Sequence, residues 1–286
     1  MANAILVTGS TGTVGTEVVR QLSAAGVNVR AAVQATSNVE KIKGAGVEPV
    51  VTDFTKPESI SAALEGTEKI FLLTPPAPKT EELATRIIEA AKQSSLKHIV
   101  RLSVIGADLE PGYTLGRWHR QTEKEIEASG IAYTFLRPNF FMQNFLGQAT
   151  IKSQGAFYDS SQDSRASHVD VRDIAAVAVA ALTQSGHEGK AYEITGPEAL
   201  SNYEIADILS SVTGRKIAFV PVSDDDVRKG MRESGVPDSY LEPLIELFAI
   251  KRAGQMAVVS PAVEGVTGRK PISFEQFARD YVEAFK

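Results

Sequence analysis

An apolar run, Ala4-Ile5-Leu6-Val7, leads straight into Thr8-Gly9-Ser10-Thr11-Gly12-Thr13-Val14-Gly15, and no other segment restricts the fold as much. A short, continuous apolar run reads as a strand covered on both faces. Glycines at 9, 12 and 15 fall where such a strand must turn sharply into a helix. Gly9 permits the turn, Gly12 lets the backbone come close to a ligand, and Gly15 lets helix and strand pack tightly. A helix starting here aims its free N–H groups and positive dipole end at whatever fills the turn. The turn is therefore an anion site, and in this strand-to-helix setting a site for a dinucleotide pyrophosphate. Ser10, Thr11 and Thr13 add hydroxyl donors, so the candidate cofactor residues are Gly9, Ser10, Thr11, Gly12, Thr13, Val14 and Gly15. The spacing is GxxGxxG, not the common GxGxxG.

The rhythm begun there continues. Short apolar runs at 4–8, 28–33, 48–51, 69–73, 98–103 and 132–136 alternate with helical patterns at 13–25, 57–64, 80–94 and 116–129. Such alternation implies right-handed βαβ units and a Rossmann-type, doubly wound parallel sheet in an α/β protein. After about residue 150 the rhythm breaks. An apolar helix over 170–183 is expected to pack back on the sheet, followed by a strand at 192–194. A helix over 201–212 opens on the capping-box pair Ser201 and Glu204. Helices near 223–234 and 237–251 follow, with Pro237 expected in the first turn of the second. The expected organisation is a dinucleotide-binding Rossmann domain over 1–150, with 165–195 returning to it, and a smaller, interleaved, mixed α/β substrate-side region over 151–286.

Composition narrows the partners. With 286 residues and an apolar fraction of 43%, the chain can bury a core without staples. It has no cysteine, which excludes disulfides, thiolate metal sites and thiol nucleophiles. A net charge of −5 without a basic run argues against nucleic acid. No apolar stretch is long enough for a membrane span, and no leader pattern opens the chain, so the expected location is the cytoplasm, as a monomer or homodimer. No HExxH set or GxSxG elbow is present, and no metal is expected.

The end of the second strand is where NAD binders place a carboxylate and NADP binders a basic residue. Here it reads Val33-Gln34-Ala35-Thr36. Gln34 does not repel a 2′-phosphate; Arg30 and Lys41 are candidate phosphate partners, and Ser37 and Asn38 candidate hydrogen-bond donors. The expected cofactor is NADPH, with NADH open. Asp53 and Phe54 either flank the adenine or belong to a cap on the helix at Pro57. Thr74 and Pro75, in Leu72-Leu73-Thr74-Pro75-Pro76, end the fourth strand at the carboxyl edge where open sheets bind ligands.

Longer segments carry a resemblance: VTGSTGTVG (7–15), VRAAVQ (29–34), DF (53–54), KHIVRLSVIGA (97–107), HRQTEKEIEASGIAYTFLRPNFFMQN (119–144), HVDVRDIAAVA (168–178) and SNYEIADILSSVTGR (201–215). With them the chain resembles the NmrA-like atypical short-chain dehydrogenase/reductases, in the branch of triphenylmethane reductase and NADPH-dependent quinone oxidoreductase. The resemblance implies an NAD(P)H-dependent reductase. Two departures stand out. NADPH binders of the group often have Arg where this chain has Gln34. The Tyr-x-x-x-Lys pair of hydride-transferring relatives falls on Leu115 and His119.

A ketone reductase must deliver a proton to the developing alkoxide, hence the usual Tyr and Lys. A quinone, dye or conjugated carbonyl accepts hydride into a delocalised system and can be protonated by water. The expected acceptor is therefore small, planar and apolar or aromatic. Candidate catalytic residues are Ser103, ending the fifth strand, His119, as a ribose partner or an acid near neutral pH, and Tyr113. Ser103 and His119 also count as cofactor contacts, as does Asn139, placed at the cofactor's edge. Phe140, Phe141, Met142 and Asn144 are the candidate walls of the acceptor pocket. The competing reading is a non-catalytic redox sensor that binds NAD(P) and acts through a protein partner. An epimerase or dehydratase is weaker, because that chemistry uses the missing tyrosine.

Overall fold

A computed structural model describes residues 4–35, 42, 44–74 and 80–286. The alternation is realised as β1 (Ala4–Val7), α1 (Thr13–Ala24), β2 (Val29–Val33), β3 (Val47–Val51), α2 (Pro57–Leu64), β4 (Thr67–Leu72), α3 (Thr80–Lys92), β5 (His98–Leu102), α4 (Thr114–Ala128) and β6 (Ala132–Pro138). There follow a 3-10 turn (Met142–Gly147), α5 (Ala149–Gln154), β7 (Ala156–Asp159), β8 (Arg165–Ala166), α6 (Val171–Thr183) and β9 (Lys190–Ile194). The chain ends with β10 (Leu200–Ser201), α7 (Asn202–Thr213), β11 (Ala218–Pro221), α8 (Asp224–Glu233), α9 (Asp238–Arg252), α10 (Ala262–Thr267), α11 (Phe274–Asp280) and α12 (Val282–Phe285).

Among the described residues the main sheet has seven strands in the order β3-β2-β1-β4-β5-β6-β9, and β1 to β6 pair in parallel. This is the Rossmann order. The chain reverses direction across the sheet between β1 and β4, and ligands bind at the carboxyl ends of the strands beside such a reversal. The glycine turn follows β1 and so lies at that point.

By contact, the chain divides into two compact units. The first comprises Met1–Asp108, Gly116–Arg137 and Ile174–Tyr192; the second comprises Leu109–Leu115, Pro138–Asp173 and Glu193–Lys286. The division thus falls at Arg137, not near 150, and the returning segment is 174–192. The core of the first unit buries Leu6, Ile70, Leu72, Ile87, Ile99 and Phe135 between sheet and helices. Each such side chain contributes about 1.5–3 kcal/mol of burial. Lys69 Nζ donates to the carbonyl of Leu182 in α6 at 2.7 Å, holding the returning helix to this unit.

The second unit has an aromatic core of Phe145, Phe157, Phe219, Phe274, Phe277 and Phe285. β7 and β11 form a separate parallel pair, and β8 and β10 an antiparallel one. The capping box at α7 is formed, with Ser201 accepting from the Glu204 N–H and the Glu204 carboxylate accepting from the Ser201 N–H. Pro237 is the residue before α9, not part of its first turn. Among the described residues no helix is long and apolar enough to cross a membrane.

Candidate active site

The glycine turn is pinned on both sides within the first unit. Thr8 Oγ1 donates to the Leu73 carbonyl and accepts from the Leu73 N–H, each at 2.8 Å. Ser10 Oγ donates to the Ala32 carbonyl at 2.6 Å and is fully buried. Ser10 is therefore an anchor of the turn onto β2, which corrects its assignment as a hydroxyl donor to phosphate. Val14 faces the core, so only its backbone is available to a ligand.

The three glycines differ in what demands them. Gly9 has φ +61°, and a Cβ there would meet Leu73 Cδ2 at 2.7 Å. A Cβ on Gly15 would lie 2.1 Å from the Gly9 carbonyl oxygen. A Cβ on Gly12 would have only an ordinary contact, 3.4 Å from the same oxygen. The fold by itself does not require glycine at 12. Thr11, Gly12 and Thr13 are exposed, and α1 has no side-chain cap among the described residues. Its first N–H groups are thus open to an anion. An exposed, uncapped helix start with a glycine that packing does not need is a cradle that fits a pyrophosphate.

Gln34 is exposed just past β2. Arg30 does not reach out toward a phosphate; its guanidinium is held by the Glu65 carbonyl and lies 3.6 Å from Glu48. Asp53 Oδ1 accepts from the N–H and hydroxyl of Thr55, at 2.9 and 2.6 Å, and this holds its carboxyl below the usual value. Asp53 thus closes a local turn onto Thr55 rather than capping α2, whose N-cap is Lys56 with no side-chain cap among the described residues, and Phe54 packs on the edge of the core. Lys41 and Pro75, with Ser37 and Asn38, lie outside the described residues.

At the carboxyl ends of β4 and β5 the structure brings together Thr74, Ser103, His119 and a residue that the sequence reading passed over, Arg101. Arg101 is 2% exposed. Its Nη1 donates to the carbonyls of Leu72 and Leu102, and its Nη2 to Thr74 Oγ1 at 3.0 Å. Burial lowers its pKa to about 10, and Glu123 opposes that shift, so it remains a cation. Its signal was legible: a charge inside an apolar central strand is rare unless it has a task. The Ser103 N–H continues the β5–β6 ladder to the Leu136 carbonyl, while its Oγ is buried without a partner among the described residues.

His119 is half-buried, but its Nδ1 is shielded and has no partner among the described residues. Desolvation, and then the charge of Arg101, lower its pKa to about 3. The imidazole is therefore neutral at neutral pH, which corrects the expectation of an acid there; it can serve as a hydrogen-bonding group. Tyr113, in the second unit, is 3% exposed, and burial pushes its phenol up, making it a poor proton donor.

The pose of α4 is fixed by a buried ion cluster. Arg137 Nε and Nη2 bind Glu123 at 3.0 and 2.8 Å, while Arg137 Nη1 binds Asp108 at 2.5 Å and Arg120 Nη1 binds Glu123 at 3.1 Å. Glu123 is fully buried. Glu123→Ala should therefore cost about 3–5 kcal/mol in urea unfolding, because it leaves a buried guanidinium short of its partner. Arg120→Ala, at the solvent side of the same cluster, should cost about 1 kcal/mol or less. Equal costs would show that burial does not set the strength of the cluster.

In the second unit Asn139 is 3% exposed; its Nδ2 donates to Ser167 Oγ and the Met256 carbonyl, both at 2.9 Å, and its Oδ1 accepts from the Phe140 N–H. All of its polar atoms are occupied internally, which corrects its assignment to the cofactor's edge. Met142 is buried in the aromatic core, which corrects its assignment as an open pocket wall. Phe140 and Phe141 are half-buried and Asn144 is exposed. The Phe140 ring lies 5.8 Å from that of His168 and 5.9 Å from Lys251 Nζ. Asp170 and Asp173 are structural: Asp170 accepts from the Arg172 N–H at the start of α6, and Asp173 pairs with Arg269. Among the described residues no group of acidic and histidine side chains could hold a metal.

The sheet order and the glycine turn after β1 define a Rossmann-type protein with a dinucleotide-type turn at its switch point. The chain belongs to the NmrA-like family, whose model matches residues 1–277. It is 39% identical over 282 residues to the NAD(P)H azoreductase of Xenophilus azovorans, covering 98% of this chain and 99% of the relative. It is 36% identical over 286 residues to the (4-alkanoyl-5-oxo-2,5-dihydrofuran-3-yl)methyl phosphate reductase of Streptomyces griseus subsp. griseus, with 98% and 99% covered. Among solved structures it resembles an NADPH-dependent quinone oxidoreductase from Escherichia coli complexed with NADPH, with TM-score 0.87, 25% identity, and coverage of 98% and 99%.

Proposed function

We infer that the chain is an NAD(P)H-dependent oxidoreductase that reduces a small, planar, conjugated acceptor such as a quinone, an azo dye or a conjugated carbonyl. The observation that carries the cofactor half is Gly12, exposed at an uncapped helix start and not required by packing. The reductases at 39% and 36% identity over nearly the whole chain support the class of reaction. Exposed Gln34 sets no carboxylate against a 2′-phosphate, which favours NADPH while leaving NADH admissible.

When bound, the dihydronicotinamide supplies the hydride. The chain's own residues hold and orient. The N–H groups at the start of α1 take the pyrophosphate, and neutral His119 and Ser103 offer hydrogen bonds at the carboxyl end of β5. Neither is an acid at neutral pH, which favours acceptors that need no fixed proton donor.

The test is stopped-flow mixing of NADPH-loaded protein with a panel of quinones and azo dyes. Turnover on the order of 1 per second or faster with at least one acceptor is expected. Tight NADPH binding with no oxidation above the protein-free rate across the panel would sink the reading and favour a sensor.

A further inference from the structure

Arg101 is a buried cation with no dedicated counter-ion among the described residues. No carboxylate forms an ion pair with it among the described residues, and the nearest candidate, Glu123, is already bound by Arg137 and Arg120. Its hydrogen bonds go to neutral groups: the carbonyls that end β4 and β5, and the Thr74 hydroxyl. Its Nε, Ser103 Oγ and His119 Nδ1 are all buried and without partners among the described residues. A packed interior that leaves a full charge and three polar atoms uncompensated at one strand end is expensive, and such costs concentrate where a ligand supplies the missing charge. Leu73, beside Thr74, closes against Gly9, so this charge stands next to the phosphate turn, at the ligand edge of the sheet.

We propose that Arg101 is the cation of this site: a positioning residue that favours the anionic form of an oxygen or nitrogen bound at the carboxyl end of β5, and so selects acceptors that become delocalised anions on reduction. The cation at this strand end comes from β5, and α4 presents a neutral imidazole beside it. Arg101 acts through its field and through Thr74, because it has no surface of its own to offer. The inference rests on the reductase reading and gives it a specificity. The hydride that leaves the reduced nicotinamide converts a quinone to its hydroquinone monoanion, the nicotinamide is oxidised, and water afterwards supplies the single proton that completes the hydroquinone. A hydroquinone ionises near the phenolic value of about 10, whereas an alkoxide is roughly as basic as hydroxide, at about 15.7. A buried cation can hold the first anion without a proton donor, but not the second. Simple ketones should be refused.

The test uses 4-nitrophenol as a phenolate probe, titrated by absorbance on the protein without cofactor. In the wild type the bound probe should ionise about one pH unit or more below the free probe, as an opposite charge a few ångströms away dictates. In Arg101→Gln the shift should vanish, and Arg101→Lys should restore part of it. A probe that does not bind, that is unshifted in the wild type, or that is shifted equally in Arg101→Gln overturns the inference. The wild-type titration decides even if Arg101→Gln does not fold. With NADPH loaded, Arg101→Gln should slow quinone reduction by roughly 100-fold, the loss typical of removing one preorganised electrostatic contact, with NADPH affinity unchanged. A loss confined to NADPH affinity would make Arg101 a phosphate partner and overturn the proposal. An active wild type with Arg101→Gln equally fast would overturn this inference alone; an inactive wild type would overturn both it and the reductase reading.

Discussion

Gly12→Ala should leave the fold intact and cost NADPH affinity by about 10- to 100-fold, whereas Gly15→Ala should cost the fold itself. At Gly15 the added Cβ lies 2.1 Å from the Gly9 carbonyl oxygen, so strand end and helix start must separate. Overpacking against backbone costs about 3 kcal/mol or more, since backbone cannot rotate away as a side chain can. At Gly12 the new methyl keeps an ordinary 3.4 Å contact, and φ −85°, ψ 173° suits alanine. Two small effects nearly cancel there. Alanine caps a helix less well than glycine by up to about 1 kcal/mol, but it also removes about 0.4–1 kcal/mol of unfolded-chain entropy. The methyl does, however, stand where a pyrophosphate must approach the backbone, and each lost charge-assisted N–H contact costs about 1.5–3 kcal/mol. Calorimetric NADPH binding alongside thermal unfolding separates the two cases. Unchanged NADPH affinity in Gly12→Ala would remove the observation on which the cofactor reading rests.

The same turn shows how far local chemistry carries a sequence reading. The six strands of the first half were legible to within two residues, because each is a short apolar run bounded by its own turn. The glycine turn was legible because its three glycines and its strand-to-helix position are all local. What escaped depends on partners far away in sequence. Ser10 turns inward to the Ala32 carbonyl, 22 residues on. Asn139 faces inward because the Met256 carbonyl, 117 residues on, meets its amide. Met142 belongs to a core completed by Phe274 and Phe277, from the last turns of the chain. His119 fails as an acid because of its burial and then of the charge of Arg101 on another element, and the chemistry of a histidine is set by its surroundings. Arg101 was the exception, since its place within the apolar run His98–Leu102 was visible from the start.

Lowering the pH from 7.5 to 5 should remove about 4 kcal/mol of stability, through histidines rather than carboxylates. His119 and His168 both have folded pKa values near 3. For His168 the causes are burial among Phe140, Phe145 and Phe274 and then the charge of Lys251, opposed by the Ala166 carbonyl. The unfolded imidazole takes up a proton near pH 6.5, while the folded one refuses it. The unfolded state therefore binds more protons, and stability falls as pH drops below about 6.5. At pH 5 each residue contributes a loss of about 2 kcal/mol. His98 and His187, also held below their usual values by burial, add to the loss in the same window. Carboxylates held low, such as those of Asp108 and Asp224, act later, as pH falls through the carboxylate range. Asp173, held high by burial, works weakly in the opposite sense. Against a total of about 5–15 kcal/mol, the histidine loss brings the protein close to acid unfolding while most of its carboxylates are still charged. Urea unfolding at stepped pH measures it. His168→Phe, which fills an aromatic nest with another ring, should remove one proton from the slope, about 1.4 kcal/mol per pH unit. His119 belongs to the first unit and His168 to the second, so separate unfolding transitions would each carry one of the two steps. A stability that stays flat from pH 7.5 to 5 would mean that both rings charge without cost, and then His119 would again qualify as an acid in the site.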